Sequence, residues 1–428
     1  PHNVKRNVEY TWVHHAEINL AYLVKTKGVL TRKSYLFGGN FGLDDLEREV
    51  EQLAGGFSAT AQVSAALEKL LAPVRTVLGV ANTTAGDVFR FLPEGGSITG
   101  LLRSLAPAAD LQDGAGRLPL YRQGSTVTVV LSVAQAMAQA GEGGIIAFDD
   151  FGEGLDAASA QHLAAVLRRS ASQVWLSTRR PHAAEVFPPS ELIRLTARGG
   201  VRKIHYGRAP KIKADLIATR HLHLQLLPAM ASRAVIGLEG PHDRSALTAL
   251  ARRLHEQEGL ELPAARRIAF VDAAAIDGSG GSSGIPRLMA FAKTLGFRTV
   301  AVLDYDRGEP EAKAVLDENV KAADAVVRLP KGCAIELALL QGLDDAIIGD
   351  ALHQLQEAFG VPVPADVDAL TGKKLHSAAR EAIKRSPGYH AQFIDALPPG
   401  VHPPLARILL QKAMEAATID VVGLVQLP

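Results

Sequence analysis

A chain of 428 residues is too long for one ordinary core and calls for two or three domains. Its 47% hydrophobic and 21% charged residues exclude a disordered chain, and a net charge of +1 excludes a polybasic nucleic-acid glue, so any DNA contact must come from local patches. The single cysteine, Cys333, excludes an intramolecular disulfide and a Cys-cluster zinc site, and no apolar stretch is long enough to span a bilayer.

Residues 1–120 carry the weakest pattern. Between Leu43 and Val74, Leu46, Val50 and Leu53, then Val63, Leu67, Leu70 and Val74, recur at helical spacing, with Gly55 and Gly56 between them. This predicts two amphipathic helices, either a paired arm or ordinary packing helices. From Tyr121 helix and strand alternate: helix Thr126–Gln139, strand Gly144–Phe148, helix Ala157–Arg169, strand Gln173–Ser177. Such alternation predicts an open, mostly parallel α/β sheet. Residues 208–231 read as an interdomain connection.

A second α/β run begins at Arg233. Strands are predicted over Ala234–Leu238, Arg267–Val271, Thr299–Leu303 and Ala325–Leu329, with helices over Arg244–Gln257, Ile285–Leu295 and Glu311–Ala322. After Glu336 everything reads helical, broken at Gly360–Pro364 and Leu397–Pro404.

Two strand ends in this run carry acids. The first strand delivers Glu239, Gly240 and Pro241 turn the chain, and Asp243 opens the next helix. The third runs into Asp304-Tyr-Asp306. In open α/β sheets ligands bind beyond the carboxyl ends of the strands. Acids at i and i+2 of an extended segment leave the same face. Carboxylates held so close repel unless a cation lies between them, and Mg²⁺ takes oxygen ligands. Asp243 alone is also explained as a helix-start residue.

A strand ending in Glu-Gly-x-x-Asp and a later strand ending in Asp-x-Asp resemble the Toprim fold of topoisomerases, primases and certain nucleases, over roughly Arg233 to Leu329. The Glu239/Asp243 form resembles in particular the overcoming-lysogenisation-defect (OLD) nucleases. That resemblance implies metal-dependent DNA cleavage with no covalent protein–DNA intermediate, using Mg²⁺ or Mn²⁺, two ions being expected.

Several neighbours are weaker candidates. The Gly278–Gly284 Gly/Ser segment precedes a helix and offers N–H groups and the hydroxyls of Ser282 and Ser283, or is a plain surface loop. Glu336 opens a helix; the OLD resemblance implies it completes a second metal site, and the helix dipole explains it otherwise. Lys373 and Lys374 would supply a cation to a phosphate or leaving oxygen, or form an exposed basic helix start. Arg244, Arg287 and Arg307 flank the crevice, as DNA-backbone contacts or as ordinary surface charge.

The earlier run resembles ABC-type ATPases. Gly144–Phe148 followed by Asp149 and Asp150 resembles Walker B, which makes Asp149 the metal-supporting acid and Asp150 the water-orienting one in place of Glu. Gly154-Leu-Asp156 resembles the D-loop. Gly124 and Ser125, at the start of a helix, stand where such enzymes carry their signature motif. Arg179 stands where the switch segment usually has His, which puts its equivalence in doubt. No G-x-x-x-x-G-K-[ST] loop is present. The expectation is therefore that ATP belongs to a more complete protein and that this sequence does not hydrolyse it alone.

An ABC-like lobe followed by a Toprim domain is the arrangement of OLD nucleases, and the Arg-bearing switch segment points to their class 2 branch. The expected division is α/β throughout: helical arm and remaining ATPase segments over 1–120, ATPase-like lobe over 121–208, linker over 209–232, Toprim domain over 233–335 and a helical C-terminal region over 336–428. The implied activity is two-metal phosphodiester hydrolysis in a cytoplasmic homodimer acting on DNA, with no membrane partner. Two alternatives stand beside it: a topoisomerase- or primase-like enzyme, and an ATP-gated DNA clamp whose acidic site is structural.

Overall fold

The computed structural model describes residues 10–13, 52, 56, 60–80, 82–92, 106–114, 116–140, 144–198, 200–207, 223, 225–274, 283–306, 308–419 and 422–427. Leu46, Val50, Leu53, Gly55, residues 278–282 of the Gly/Ser segment and Arg307 lie outside the described residues. The chain is mixed α/β and divides into two compact units, Pro1–Val186 and Phe187–Pro428.

The first unit contains β1 (Tyr10–Val13), α1 (Ala61–Leu71), α2 (Ala85–Val88), β2 (Phe89–Leu92), β3 (Ala106–Asp110) and β4 (Arg117–Pro119), followed by α3 (Ser125–Ala140), β5 (Ile145–Phe148), α4 (Ala157–Ser170), β6 (Gln173–Leu176) and α5 (Pro181–Ala184). Helix α1 buries Val63, Leu67, Leu70 and Leu71, and Val74 is buried in the turn that follows, so the stripe Val63, Leu67, Leu70 and Val74 faces inward. Strands β1, β5 and β6 form a parallel sheet with β5 central.

Strands β2, β3 and β4 form a small antiparallel sheet after the expected helical arm, in a stretch for which the sequence predicts no elements. The reason it was not legible is local. Its central strand is Ala-Pro-Ala-Ala-Asp, and Pro107 has no N–H to donate to a ladder.

The second unit opens with a hairpin, β7 (Ile193–Arg198) and β8 (Val201–Tyr206), joined antiparallel. The sequence division placed these residues with the ATPase-like lobe; the structure places them in the second unit. Arg194 anchors the hairpin there. Its guanidinium donates to the carbonyls of Met230 at 3.1 Å, Leu295 at 2.7 Å and Ser232, and stacks 3.7 Å over the Phe297 ring.

Then come β9 (Ala234–Leu238), α6 (Pro241–Glu258), β10 (Ile268–Asp272), α7 (Ile285–Thr294), β11 (Arg298–Leu303), α8 (Glu309–Ala322) and β12 (Ala325–Arg328). Helices α9 (Ile335–Leu340), α10 (Asp345–Phe359), α11 (Gly372–Ile383), α12 (Pro387–Ala396) and α13 (Pro404–Thr418) follow, and β13 (Gly423–Gln426) ends the fold.

Five parallel strands lie in the order β10-β9-β11-β12-β13. The chain steps from β9 to one side, then returns past it to β11. The crevice between the carboxyl ends of β9 and β11 is therefore the topological switch point of the sheet, where ligands of such folds bind.

Period-2 alternation divides the core. Ala234, Ile236, Leu238, Val300, Val302, Ala325 and Val327 face α6 and the helices α9–α13. Val235, Ala301, Leu303 and Val326 face α7, with parts of α8 packed on the same side. Gly237 lies on that second face, and a Cβ there would come within 2.5 Å of the Met289 side chain, so α7 packs directly on the backbone of β9.

The expectation that all residues after Glu336 are helical is corrected by β13. Its Gly423 N–H bonds the Asp324 carbonyl at 3.1 Å, and the strand then pairs with β12 in parallel. Four residues with one glycine give too short a pattern to be seen as a strand. Among the described residues no helix is long and apolar enough to cross a membrane.

Candidate functional site

Strand β9 is buried along its whole length and ends at Leu238, so Glu239 is the first residue to leave the sheet. Gly240 is fully extended, Pro241 occupies the first helical position, and α6 starts three residues before the predicted boundary. Asp243 is the third residue of α6, and its Oδ2 accepts the Gly240 N–H at 3.0 Å. The turn is thus closed by the acid itself, which leaves only 6% of Asp243 exposed.

Across the switch point, β11 ends at Leu303 and Asp304 follows. The Asp304 N–H donates to Glu239 Oε1 at 3.0 Å, which joins the two strand ends. Beyond it two backbone bonds tie the segment to the turn after β12: the Tyr305 N–H bonds the Cys333 carbonyl at 2.9 Å and the Gly332 N–H bonds the Tyr305 carbonyl at 2.6 Å. The Tyr305 ring packs under the Arg328 guanidinium, 3.9 Å away. Asp304 is half-buried and Asp306 is exposed at the rim.

Electrostatics bind these acids into one group. Burial, then the charge of Glu239, pushes the Asp243 carboxyl up to about 7, with Glu336 adding to the effect. Burial and the charges of Asp243, Glu239, Glu336 and Asp306 hold the Asp304 carboxyl well above the usual range. Residues from β9, α6, β11 and α9 therefore share one field. Oxygen donors crowded in this way, with burial opposing their charge, fit a hard dication such as Mg²⁺ or Mn²⁺. Cys333 lies beside them, its thiol pushed up to about 12 by burial first and the Asp304 charge second.

Glu336, in the first turn of α9, is 7% exposed. Burial works to raise its carboxyl, but the facing His390 ring, its own backbone N–H and Arg380 outweigh burial and leave it below the usual value. His390 Nε2 lies 3.8 Å from Glu336 Oε1. The His242 ring meets the His390 ring edge to face, with centroids 4.8 Å apart. Burial, then His390, lowers the basicity of His242, with Lys384 acting in the same direction and Glu336 against it. Neither histidine stood out in the sequence, because each lies inside a helix without a metal-ligand spacing around it.

Ser283 is exposed just ahead of α7. Lys373 and Lys374 open α11, and no described hydrogen bond or ion pair joins either to the carboxylates. Lys374 instead lines a surface cleft with Pro362, Pro364 and Arg385. The cations of this region whose fields reach the site are Arg380, later in α11, and Lys384, its C-terminal cap. Arg287 is exposed on α7, and Arg244 sits 3.4 Å from Asp272, a buried acid at the end of β10.

In the first unit, Asp149 follows β5 and accepts a hydrogen bond from the Ser177 hydroxyl at the end of β6. The Asp150 N–H donates to the same hydroxyl at 2.9 Å. Asp150 has φ +50, an uncommon conformation for a non-glycine residue, and its carboxylate lies 3.5 Å from Arg179. The Gly124–Ser125 helix start meets the Gly154 turn: Thr126 Oγ1 donates to the Gly154 carbonyl at 2.7 Å. Asp156 caps α4, accepting the Ser159 N–H at 2.9 Å, and hydrogen bonding with Ser159 holds its carboxyl below the usual range.

The chain matches no protein-family model and no curated protein.

Proposed function

We propose that the second unit is a metal-dependent nuclease of Toprim type that hydrolyses DNA phosphodiesters, with an ABC-type ATPase-like module in the first unit. The observation that carries this reading is the convergence of Glu239, Asp243 and Asp304 at the switch point of a parallel sheet, with burial and mutual repulsion raising two of the three.

Glu239, Asp243, Asp304 and Asp306, with Glu336, would hold Mg²⁺ or Mn²⁺. When bound, such ions supply a nucleophilic water at neutral pH and neutralise charge on the scissile phosphate and leaving oxygen. The protein's own work is positional. The Glu239–Asp304 hydrogen bond fixes the gap between the strand ends, and the Asp243–Gly240 bond aims α6 so that its acid enters that gap. Lys373, Lys374, Arg244, Arg287, Arg307 and Ser283 remain proposals for phosphate or backbone contact. DNA would be held without base reading, through phosphates alone.

In the first unit the reading rests on β5 ending in two acids, the Ser177 link to Asp149, the Arg179 contact to Asp150 and the Gly124–Thr126 seat on Gly154. A homodimer and an ATP requirement belong to the same proposal.

The test is nicking of supercoiled plasmid with Mg²⁺ or Mn²⁺. Cleavage that is abolished by chelation and by Asp304→Ala supports the reading. No cleavage with either metal, or full activity in Asp304→Ala, sinks it.

A further inference from the structure

Beside the acidic group, and sharing Glu336 with it, is a set of donors with different chemistry. Donor atoms of His242, Glu336 and His390 all lie within 4.8 Å of one another. The three come from the start of α6, the start of α9 and α12, and the packing of α12 along α6 brings the histidines together.

His390 is fully buried. Its Nδ1 lies 3.3 Å from the Ser386 carbonyl oxygen, which can only accept, so Nδ1 carries the proton. Nε2 is then the ring atom left for a ligand: it lies 3.8 Å from Glu336 Oε1, beyond hydrogen-bond reach, and has no hydrogen-bond partner. His242 Nδ1 is likewise buried and unpartnered. A buried polar atom without a partner costs free energy, and two such nitrogens in touching rings beside one carboxylate call for a shared ligand. A histidine whose far nitrogen donates to a backbone carbonyl is also oriented in the usual manner of a metal ligand.

We infer that His242, Glu336 and His390 form a binding site for one borderline divalent transition-metal ion of the Zn²⁺ type, adjoining the carboxylate site and sharing Glu336 with it. An ion at the centre of a triangle of that size sits at most about 2.8 Å from each donor, within an ångström of the ~2.0–2.2 Å bonds of Zn²⁺. Two imidazoles and one carboxylate suit Zn²⁺, and Mg²⁺ prefers oxygen ligands and its own waters. Three protein ligands leave a coordination position for water. The inference stands apart from the nuclease reading, since ion binding here needs no DNA chemistry.

The experiment uses the full chain, stripped of metal and titrated with Co²⁺ in the presence of excess Mg²⁺. One Co²⁺ per chain with visible d–d absorption and displacement by Zn²⁺ is the expected result. His242→Ala should weaken binding by at least about 100-fold, and Asp304→Asn should leave it within about threefold of wild type. His390 is fully buried, so His390→Gln is read only if its melting curve remains cooperative; His242→Ala, on a half-buried side chain, carries the test otherwise. Wild-type protein that takes up no Co²⁺ against Mg²⁺, or His242→Ala that binds as wild type, overturns the assignment. Loss of plasmid nicking with intact Co²⁺ binding would count against the nuclease reading alone.

Discussion

Glu239 Oε1 accepts the backbone N–H of Asp304 at 3.0 Å, so the first acid of the site also locks the strand that delivers the second. Charge and geometry can be separated at this position. Glu239→Gln keeps an acceptor for the N–H and removes the charge; Glu239→Ala removes both. Both should lower metal-dependent cleavage by at least about 100-fold, the loss typical of a transition-state charge contact. Only Glu239→Ala should lose about 1 kcal/mol of stability, the worth of one hydrogen bond. Paired cleavage and urea-melting assays decide it, and equal stability of the two variants would contradict the locking role.

A pH effect follows from Asp243, whose carboxyl is raised to about 7 by burial and by Glu239. The folded state then binds a proton that the unfolded state releases near its ordinary pKa. This contribution is fully present below about 3.9, and it is lost as pH rises through about 7. Asp304 acts in the same direction. Between pH 6.5 and 8.5, where exposed carboxylates are already charged, the melting temperature of metal-free protein should fall with pH. Saturating Mg²⁺ or Mn²⁺ should flatten the fall, because the cation binds the deprotonated acids. A metal-free melting temperature that rises over this window would count against the shared field.

Asp243→Asn tests the same repulsion by mutation. The amide can still accept the Gly240 N–H and brings no charge into the buried group. The expected outcome is a metal-free protein more stable than wild type at pH 8, by about 2–4 °C for each kcal/mol relieved, together with loss of cleavage. Functional sites commonly oppose stability in this way. A variant less stable than wild type at pH 8 would mean that Asp243 contributes more as a structural cap than it costs as a buried charge.

Arg253 in α6 fixes the chain that follows α12. Its guanidinium is buried and donates to the carbonyls of Leu397 at 2.7 Å, Pro398 at 2.5 Å and Val401 at 3.3 Å. Lysine lacks the fork that serves several carbonyls at once. Arg253→Lys should therefore cost about 1–3 kcal/mol through unsatisfied buried oxygens, read as a shift in the urea midpoint with unchanged slope. A midpoint within error of wild type would show that water replaces the fork.

In the first unit, Gly154 has φ +76 and a Cβ there would lie 2.8 Å from Ser125 Oγ. Gly154→Ala meets both the left-handed backbone and the seat of α3. A loss of about 1–2 kcal/mol is expected from the backbone alone, with faster proteolysis around residues 124–126. Unchanged stability would indicate that the turn relaxes without disturbing the helix start.

The acids at Glu239, Asp304 and Glu336 were legible because each directly follows an apolar strand or opens a helix, so one-dimensional pattern and three-dimensional position coincide. The parallel sheet of the second unit was legible for the same reason: its strands are buried on both faces and read as continuous apolar runs. His242 and His390 were not, since their meeting depends on α12 packing along α6, a long-range contact with no local signature. Strand β3 was hidden by Pro107, and β13 by its length. The hairpin β7–β8 was hidden because in β7 the apolar set of the alternation, Ile193 and Leu195, is the exposed one, and β8, Val201–Tyr206, has no period-2 pattern. Arg380 was passed over in favour of Lys373 and Lys374 because the sequence does not tell which turn of α11 faces Glu336.

The most direct measurement is an anomalous-scattering map of crystals grown with Mn²⁺, which locates ions independently of any DNA assay. The account expects Mn²⁺ density among the carboxylates of Glu239, Asp243 and Asp304, absent in crystals of Asp304→Ala. Mn²⁺-soaked wild-type crystals with no density at these carboxylates would contradict it.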